Sequence, residues 1–290
     1  MPYVLSRFDP WNFPLCTCPG KYNLSPYTGC GHGCRYCYIT SYVHDGFKPR
    51  VKDKFLLFLR RDLVKADLSI PISIANSSDP YTPPEGKLCL TRETLKFLKS
   101  FNAKVILITK SNLVVRDLDI LCKGKFTVSI TITTLNDSLA RKLEPYAPSP
   151  TDRIGALKVL CKAGIPCSVR IDPIIPGVND DFNGIIEIVS RVAEIGVKHV
   201  VSSTYKAKPD NFNRVLESFP EKADLLKDLY LKSGSKIGGV RYMPEKFRFE
   251  IMRMVKGVVD EYGLTFSTCR EGFRNLQTSE TCDGTHLIPK

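Results

Sequence analysis

The chain has 290 residues, 43% of them hydrophobic and 25% charged, enough to bury a full core as one large domain or two modest ones. No stretch approaches the roughly 18 to 20 uninterrupted apolar residues of a membrane span. Met1-Pro2-Tyr3 opens neither a basic leader nor an apolar signal core, so a cytoplasmic protein without a membrane partner is expected. The 42 Lys and Arg against 30 Asp and Glu give a formal charge of +12, which favours a polyanionic partner such as a nucleic acid, although the basic residues are spread along the chain rather than packed in one block.

Short apolar or β-branched runs alternate with longer amphipathic segments from about residue 22 to 204, the pattern of repeated βα units around a parallel sheet. Strands are expected at 21–24, 70–76, 104–110, 126–134, 166–173 and 199–204. Helices are expected at 53–66, 92–101, 114–122, 152–163 and 182–195, with Thr151 and Asp181 placed to cap the last two. Right-handed crossovers then wind six strands into a barrel or open barrel.

Two of these strands carry information about the interior. In Thr127-Val128-Ser129-Ile130-Thr131-Ile132-Thr133 and in Ser168-Val169-Arg170-Ile171-Asp172, apolar and polar residues alternate strictly. If the apolar set packs on the outer helices, the polar set points into the barrel and lines a wet, ligand-holding cavity. The alternative is an antiparallel sheet with one solvated face, against which the intervening helices argue. After Tyr205 the chain turns polar over 206–213, with helical patterns at 221–231 and 245–262 and a candidate strand at 264–267. Residues 1–20 therefore form an N-terminal segment, 21–205 the barrel, and 206–290 a helical extension ending in a coil-like, cysteine-containing tail.

Eleven cysteines in a chain without an export signal should stay reduced, which favours metal ligation where they cluster. Cys30-Gly31-His32-Gly33-Cys34-Arg35-Tyr36-Cys37-Tyr38 places three thiols in one small loop directly after the first predicted barrel strand. Soft thiolates select iron–sulfur clusters, zinc or copper, and three ligands leave an open coordination position. A zinc site would need a fourth ligand, for which His32 is the nearest candidate.

The CxxxCxxC spacing, with an aromatic residue just before its third cysteine, resembles the radical S-adenosylmethionine (SAM) superfamily. The run from Asn23 to Tyr38, together with Asn76-Ser77-Ser78-Asp79-Pro80-Tyr81, Leu143-Glu144-Pro145, and Pro173-Ile174-Ile175-Pro176-Gly177, is similar to the branch related to spore photoproduct lyase, often labelled DNA repair photolyase-like. The resemblance implies a partial (β/α)6 barrel of TIM-like type. In it Cys30, Cys34 and Cys37 bind a 4Fe-4S cluster, SAM chelates the remaining iron, and an electron from a donor such as ferredoxin or flavodoxin drives its reductive cleavage to a 5′-deoxyadenosyl radical. It also implies that Tyr36 borders the adenine, that Asn76, Ser77, Ser78 and Asp79 receive the methionine amine, and that Ser129, Thr131 and Arg170 face the ribose or carboxylate. Arg170 could instead pair with Asp172 or Glu144. The lyase draws its hydrogen from a cysteine beyond the second strand, where this chain has Asn76, Ser77 and Ser78; Cys89 is the nearest thiol, so repair of that lesion is not implied.

Four more cysteines group at the ends: Cys16 and Cys18 before the barrel, Cys269 and Cys282 in the tail. Together they make one complete ligand set for a second iron–sulfur cluster or a structural zinc, provided that the N-terminal segment wraps to the tail's end of the barrel. Cys122, Cys161 and Cys167 are expected to be buried apolar thiols, and His44 and His199 to be structural. The composite expectation is a radical SAM enzyme of lyase or oxidoreductase type acting on a nucleic acid or other phosphate-bearing substrate. Its rivals are a peptide- or protein-modifying radical SAM enzyme and a zinc-dependent nucleic-acid-binding module.

Overall fold

The computed structural model describes residues 3–8, 13–74 and 77–290. Among them, eight strands form one sheet in sequential order: β1 (Leu5–Phe8), β2 (Lys21–Leu24), β3 (Ile72–Ile74), β4 (Val105–Thr109), β5 (Phe126–Thr131), β6 (Cys167–Ile174), β7 (His199–Thr204) and β8 (Thr265–Thr268). Strand β1 lies antiparallel on β2, whereas every neighbouring pair from β2 to β8 is parallel. The six central strands are those expected from periodicity; β1 and β8 extend the open sheet at its two edges.

Helices α1 (Phe55–Lys65), α2 (Leu90–Ser100), α3 (Pro150–Lys162), α4 (Phe182–Ile195), α5 (Pro209–Ser218) and α6 (Glu245–Glu261) supply the outer layer. Leu59, Leu98, Leu160, Ile188 and Val255 from these helices share one core with Val128, Ile130, Val169 and Ile171 of the sheet. The apolar set of the two alternating strands thus faces outward, as the period of two required. Asp181 caps α4 by accepting from Gly184 N at 2.8 Å. The cap of α3 is Ser149, not Thr151: Ser149 and Asp152 bond reciprocally and Pro150 takes the first helical position, where its fixed φ suits the turn and its missing N–H costs nothing.

The β6–β7 register shifts between Ile171 and Ile174, where Pro173 cannot donate to the ladder. The expected helix at 114–122 is a 3-10 turn, Asn112–Asp117, followed by the short helix Leu118–Leu121. A second, smaller core gathers Cys34, Tyr36, Leu143, Tyr205, Phe212, Tyr230 and Met243, joining the cysteine loop to α5 and the segment beyond it.

Candidate active site

The loop 30–37 leaves β2 and folds back tightly. Gly29 and Gly33 adopt φ of +84° and +63°, and an added Cβ on Gly29 would stand 2.5 Å from the carbonyl oxygen of Lys48. Only glycine meets both demands. The loop is held from two sides. On one, Arg35 N donates to Leu143 O at 2.8 Å and Tyr146 N to His32 O at 3.2 Å. On the other, α5 acts as a clamp: Asn211 Nδ2 donates to Tyr36 O at 2.9 Å and Arg214 Nη2 to Cys37 O at 2.5 Å, while Thr40 and Ser41 hydroxyls donate to Asp210.

Cys30, Cys34 and Cys37 all line one cavity of about 470 Å³, a size that holds a drug-sized ligand (~300–1,000 Å³). Burial pushes the Cys30 thiol up to about 12 and raises the other two as well. Against that, the nearby backbone N–H groups of His32 and Asp79 lower Cys30, that of Ile39 lowers Cys37, and Lys110 lowers both Cys34 and Cys37. Amides and a cation aimed at sulfur suit thiolate ligands, whose protons leave when metal binds. Among the described residues, no three His, Cys, Asp or Glu side chains converge closely enough to hold a single ion. A cluster, whose irons occupy separate corners, accepts thiolates set further apart.

Beneath the loop lies a buried polar network. The Tyr36 hydroxyl donates to Glu144 Oε1, Thr133 Oγ1 donates to the same oxygen at 3.2 Å, and Arg153 Nη2 stands 2.5 Å from Glu144 Oε2. Burial would raise the Glu144 carboxyl, but Arg153, Lys110 and the Tyr36 hydroxyl hold it below its usual range. Burial lowers His32, whose Nδ1 lies 3.5 Å from Asp79 Oδ2.

The residues expected from sequence distribute unevenly. Tyr36, Ser77, Ser78, Asp79, Thr131 and Arg170 line the cavity with the three cysteines. Asn76 lies outside the described residues. The Asp79 carboxylate accepts from Thr109 Oγ1 at 2.7 Å, Lys110 N at 2.7 Å and Tyr81 N at 2.9 Å; it ties the end of β4 to the turn at 79–81. Ser129 is fully buried, its hydroxyl without a hydrogen-bond partner, and it does not reach the cavity surface. Arg170 pairs with Asp172 at 2.6 Å, and Glu144 is taken by Arg153.

Cys89 stands 3.6 Å from Arg116 Nη1, outside the cavity lining. Cys122 is exposed rather than buried, because it follows the last turn of a short surface helix, whereas Cys161 is half-buried and Cys167 buried. His199 is structural, with Nδ1 2.9 Å from Thr265 Oγ1 and Nε2 3.0 Å from Ser267 Oγ; His44 is solvent-exposed. The periodic reading missed Lys110, Lys206 and Arg270, all in the cavity wall. Lys110 directly follows β4 and Lys206 lies two residues beyond β7, and the carboxyl ends of parallel strands are where α/β folds gather ligand-binding groups.

Residues 24–189 match the Radical SAM superfamily, more than half of the chain. The chain belongs to the radical SAM superfamily, a family of enzymes. Among its relatives, an uncharacterized protein of Methanocaldococcus jannaschii is 35% identical over 170 residues, covering 56% of this chain and 64% of that protein. The radical SAM Nα-GlyT isomerase of Pseudomonas phage M6 is 26% identical over 262 residues, covering 85% of this chain and 53% of the phage protein. The chain thus spans less than two thirds of the length of either. A spore photoproduct lyase mutant solved with AdoMet and dinucleoside spore photoproduct superposes with a TM-score of 0.68 at 18% identity, over 88% of this chain and 78% of that one. The partial-barrel fold is therefore shared with the lyase. A cluster and SAM follow from the superfamily, and no helix is long and apolar enough to cross a membrane.

Proposed function

We propose that the chain holds a 4Fe-4S cluster on Cys30, Cys34 and Cys37, cleaves SAM reductively, and acts on a nucleic acid or another phosphate-bearing substrate. One observation carries the reading: the three thiols share their cavity with Lys21, Lys110, Arg170, Lys206 and Arg270. When bound, cluster and SAM supply a 5′-deoxyadenosyl radical; the protein supplies orientation and seclusion. The Tyr36–Glu144–Arg153 network and the α5 clamp fix the loop and close its outer side.

Three of the cations are neutralised nearby, Lys21 by Asp283, Arg170 by Asp172 and Lys206 by Glu271. Lys110, 5.5 Å from the centroid of the Tyr36 ring, lies beside the Glu144 carboxylate and the Cys34 thiol, whereas Arg270 lies 4.0 Å from the centroid of Phe13 with its Nε lacking a hydrogen-bond partner. Arg270 is therefore the group offered to an incoming anion, the SAM carboxylate or a substrate phosphate. The dinucleoside bound by the lyase and the chain's charge of +12 support a nucleic-acid substrate. The reductant is a low-potential donor such as ferredoxin or flavodoxin.

The test is anaerobic. Reduced, reconstituted enzyme is given SAM with single-stranded DNA, duplex DNA, RNA or a peptide pool, and 5′-deoxyadenosine is measured above the substrate-free background. Stimulation by one of the nucleic acids, weakening as salt rises and reduced by Arg270→Met, is expected; stimulation by peptide alone would overturn the substrate class.

A further inference from the structure

Two sequence features stay outside the radical SAM machinery: Cys16-Thr17-Cys18 and the pair Cys269 and Cys282, some 250 residues apart. The fold brings them together. Cys18 Sγ and Cys282 Sγ are 3.3 Å apart, and Cys16, Cys18 and Cys269 line the cavity that the radical SAM cysteines also line. Cys16 is within hydrogen-bonding reach of Cys18, and Cys269 interacts electrostatically with Cys16, Cys18 and Cys282.

The two segments are joined by contacts that need no metal. Gly272 N donates to Leu15 O at 3.1 Å, Gln277 Nε2 to Thr17 Oγ1 at 2.8 Å, and the buried Lys21 Nζ meets Asp283 Oδ2 at 2.5 Å. The N-terminal segment therefore does wrap to the tail, and four thiols meet at the seam.

We propose that Cys16, Cys18, Cys269 and Cys282 hold a second iron–sulfur cluster, in the same cavity wall as Cys30, Cys34 and Cys37. The surroundings suit an anionic centre. Four thiolates around a 4Fe-4S core of charge +2 leave a net −2, and Arg270 lies beside Cys16 and Cys269, while Lys21, Arg170 and Lys206 nearby are paired with Asp283, Asp172 and Glu271. Zinc would supply the same charge, but structural zinc sites are closed, whereas Cys16 and Cys269 are only half-buried and open onto a ligand-sized cavity. Tyr38 lines the cavity between the two groups, interacting with both Cys37 and Cys269. The assignment does not depend on the substrate proposed above.

The experiment counts iron, acid-labile sulfide and zinc in anaerobically reconstituted protein and records the electron paramagnetic resonance of the reduced form. Wild type is expected to hold about eight irons per chain, and Cys30→Ala/Cys34→Ala/Cys37→Ala about four, with a cluster signal that SAM does not alter. Adding Cys18→Ser and Cys282→Ser to that variant should remove the remainder, while adding Cys122→Ser should not. About four irons in wild type with none in the triple variant would overturn the second cluster and leave radical SAM chemistry intact, and stoichiometric zinc in the triple variant would overturn iron as its metal. Should the quintuple variant fail to fold, iron retention and signal in the triple variant alone decide the proposal.

Discussion

Glu144→Gln tests how the cysteine loop is supported. Glu144 and Arg153 are 1% exposed each, and their contact at 2.5 Å underlies the loop through the Tyr36 hydroxyl and the peptide groups on either side of Glu144. Removing the carboxylate leaves a guanidinium inside the protein without its counter-charge, which costs about 3–5 kcal/mol. Arg153 keeps its bonds to Pro148 O at 2.9 Å and Thr131 O at 3.1 Å, so the lower end of that range is expected. Even about 3 kcal/mol is a large share of the roughly 5–15 kcal/mol that holds a domain folded.

The assay is urea unfolding of the apoprotein followed by circular dichroism, paired with iron content after reconstitution. Glu144→Gln should lower both. Glu144→Gln/Arg153→Met, which removes the two charges together, should recover most of the stability. The reasoning is refuted if Glu144→Gln costs less than about 1 kcal/mol, or if the double variant loses the sum of the two single losses.

Further outcomes follow from the same geometry. Gly29→Ala forces a left-handed alanine against the Lys48 carbonyl and should cost about 1–2 kcal/mol or more with loss of iron. Gly155→Ala, in α3 with open space around it, should stabilise by roughly 0.4–1 kcal/mol in the same unfolding assay. Burial lowers His199 to about 3, so its neutral form contributes stability that is complete above the unfolded pKa of about 6.5 and is lost as pH falls toward the folded value. Apoprotein unfolding at pH 6 and pH 5 should therefore show wild type losing up to roughly 1.4 kcal/mol per pH unit more than His199→Gln; equal slopes would show that this imidazole is not held neutral. Arg214→Ala removes the donors to Cys37 O and Arg35 O, and should speed iron loss to a chelator while barely moving the unfolding midpoint.

The sequence made the barrel legible where chemistry repeats at short range. Strict alternation in 126–134 and 166–173 identified both strands and the face that carries Thr131 and Arg170, and the three thiols clustered in one loop do line the cavity. Long-range partners were not legible. The clamp helix α5 begins in a run read as polar, since Asn211 and Arg214, besides bonding within their own helix, serve the backbone of a loop some 175 residues earlier. Strand β1 spans only four residues at an edge, too few to show a period. Asp79 lines the cavity, as the motif's resemblance led one to expect, but its bonds to β4 and to the turn around it were not legible from sequence. The meeting of Cys16 and Cys18 with Cys269 and Cys282 follows from the edge strands and the wrapped tail, which no local pattern encodes.

The central claim is most directly tested by reducing the anaerobically reconstituted protein with dithionite in the presence of SAM and quantifying 5′-deoxyadenosine, with Cys34→Ala alongside. Formation of 5′-deoxyadenosine by wild type and its loss in Cys34→Ala, with the variant still folded, is the expected result. Equal formation by both, or none by an iron-replete wild type, would contradict the assignment of Cys30, Cys34 and Cys37.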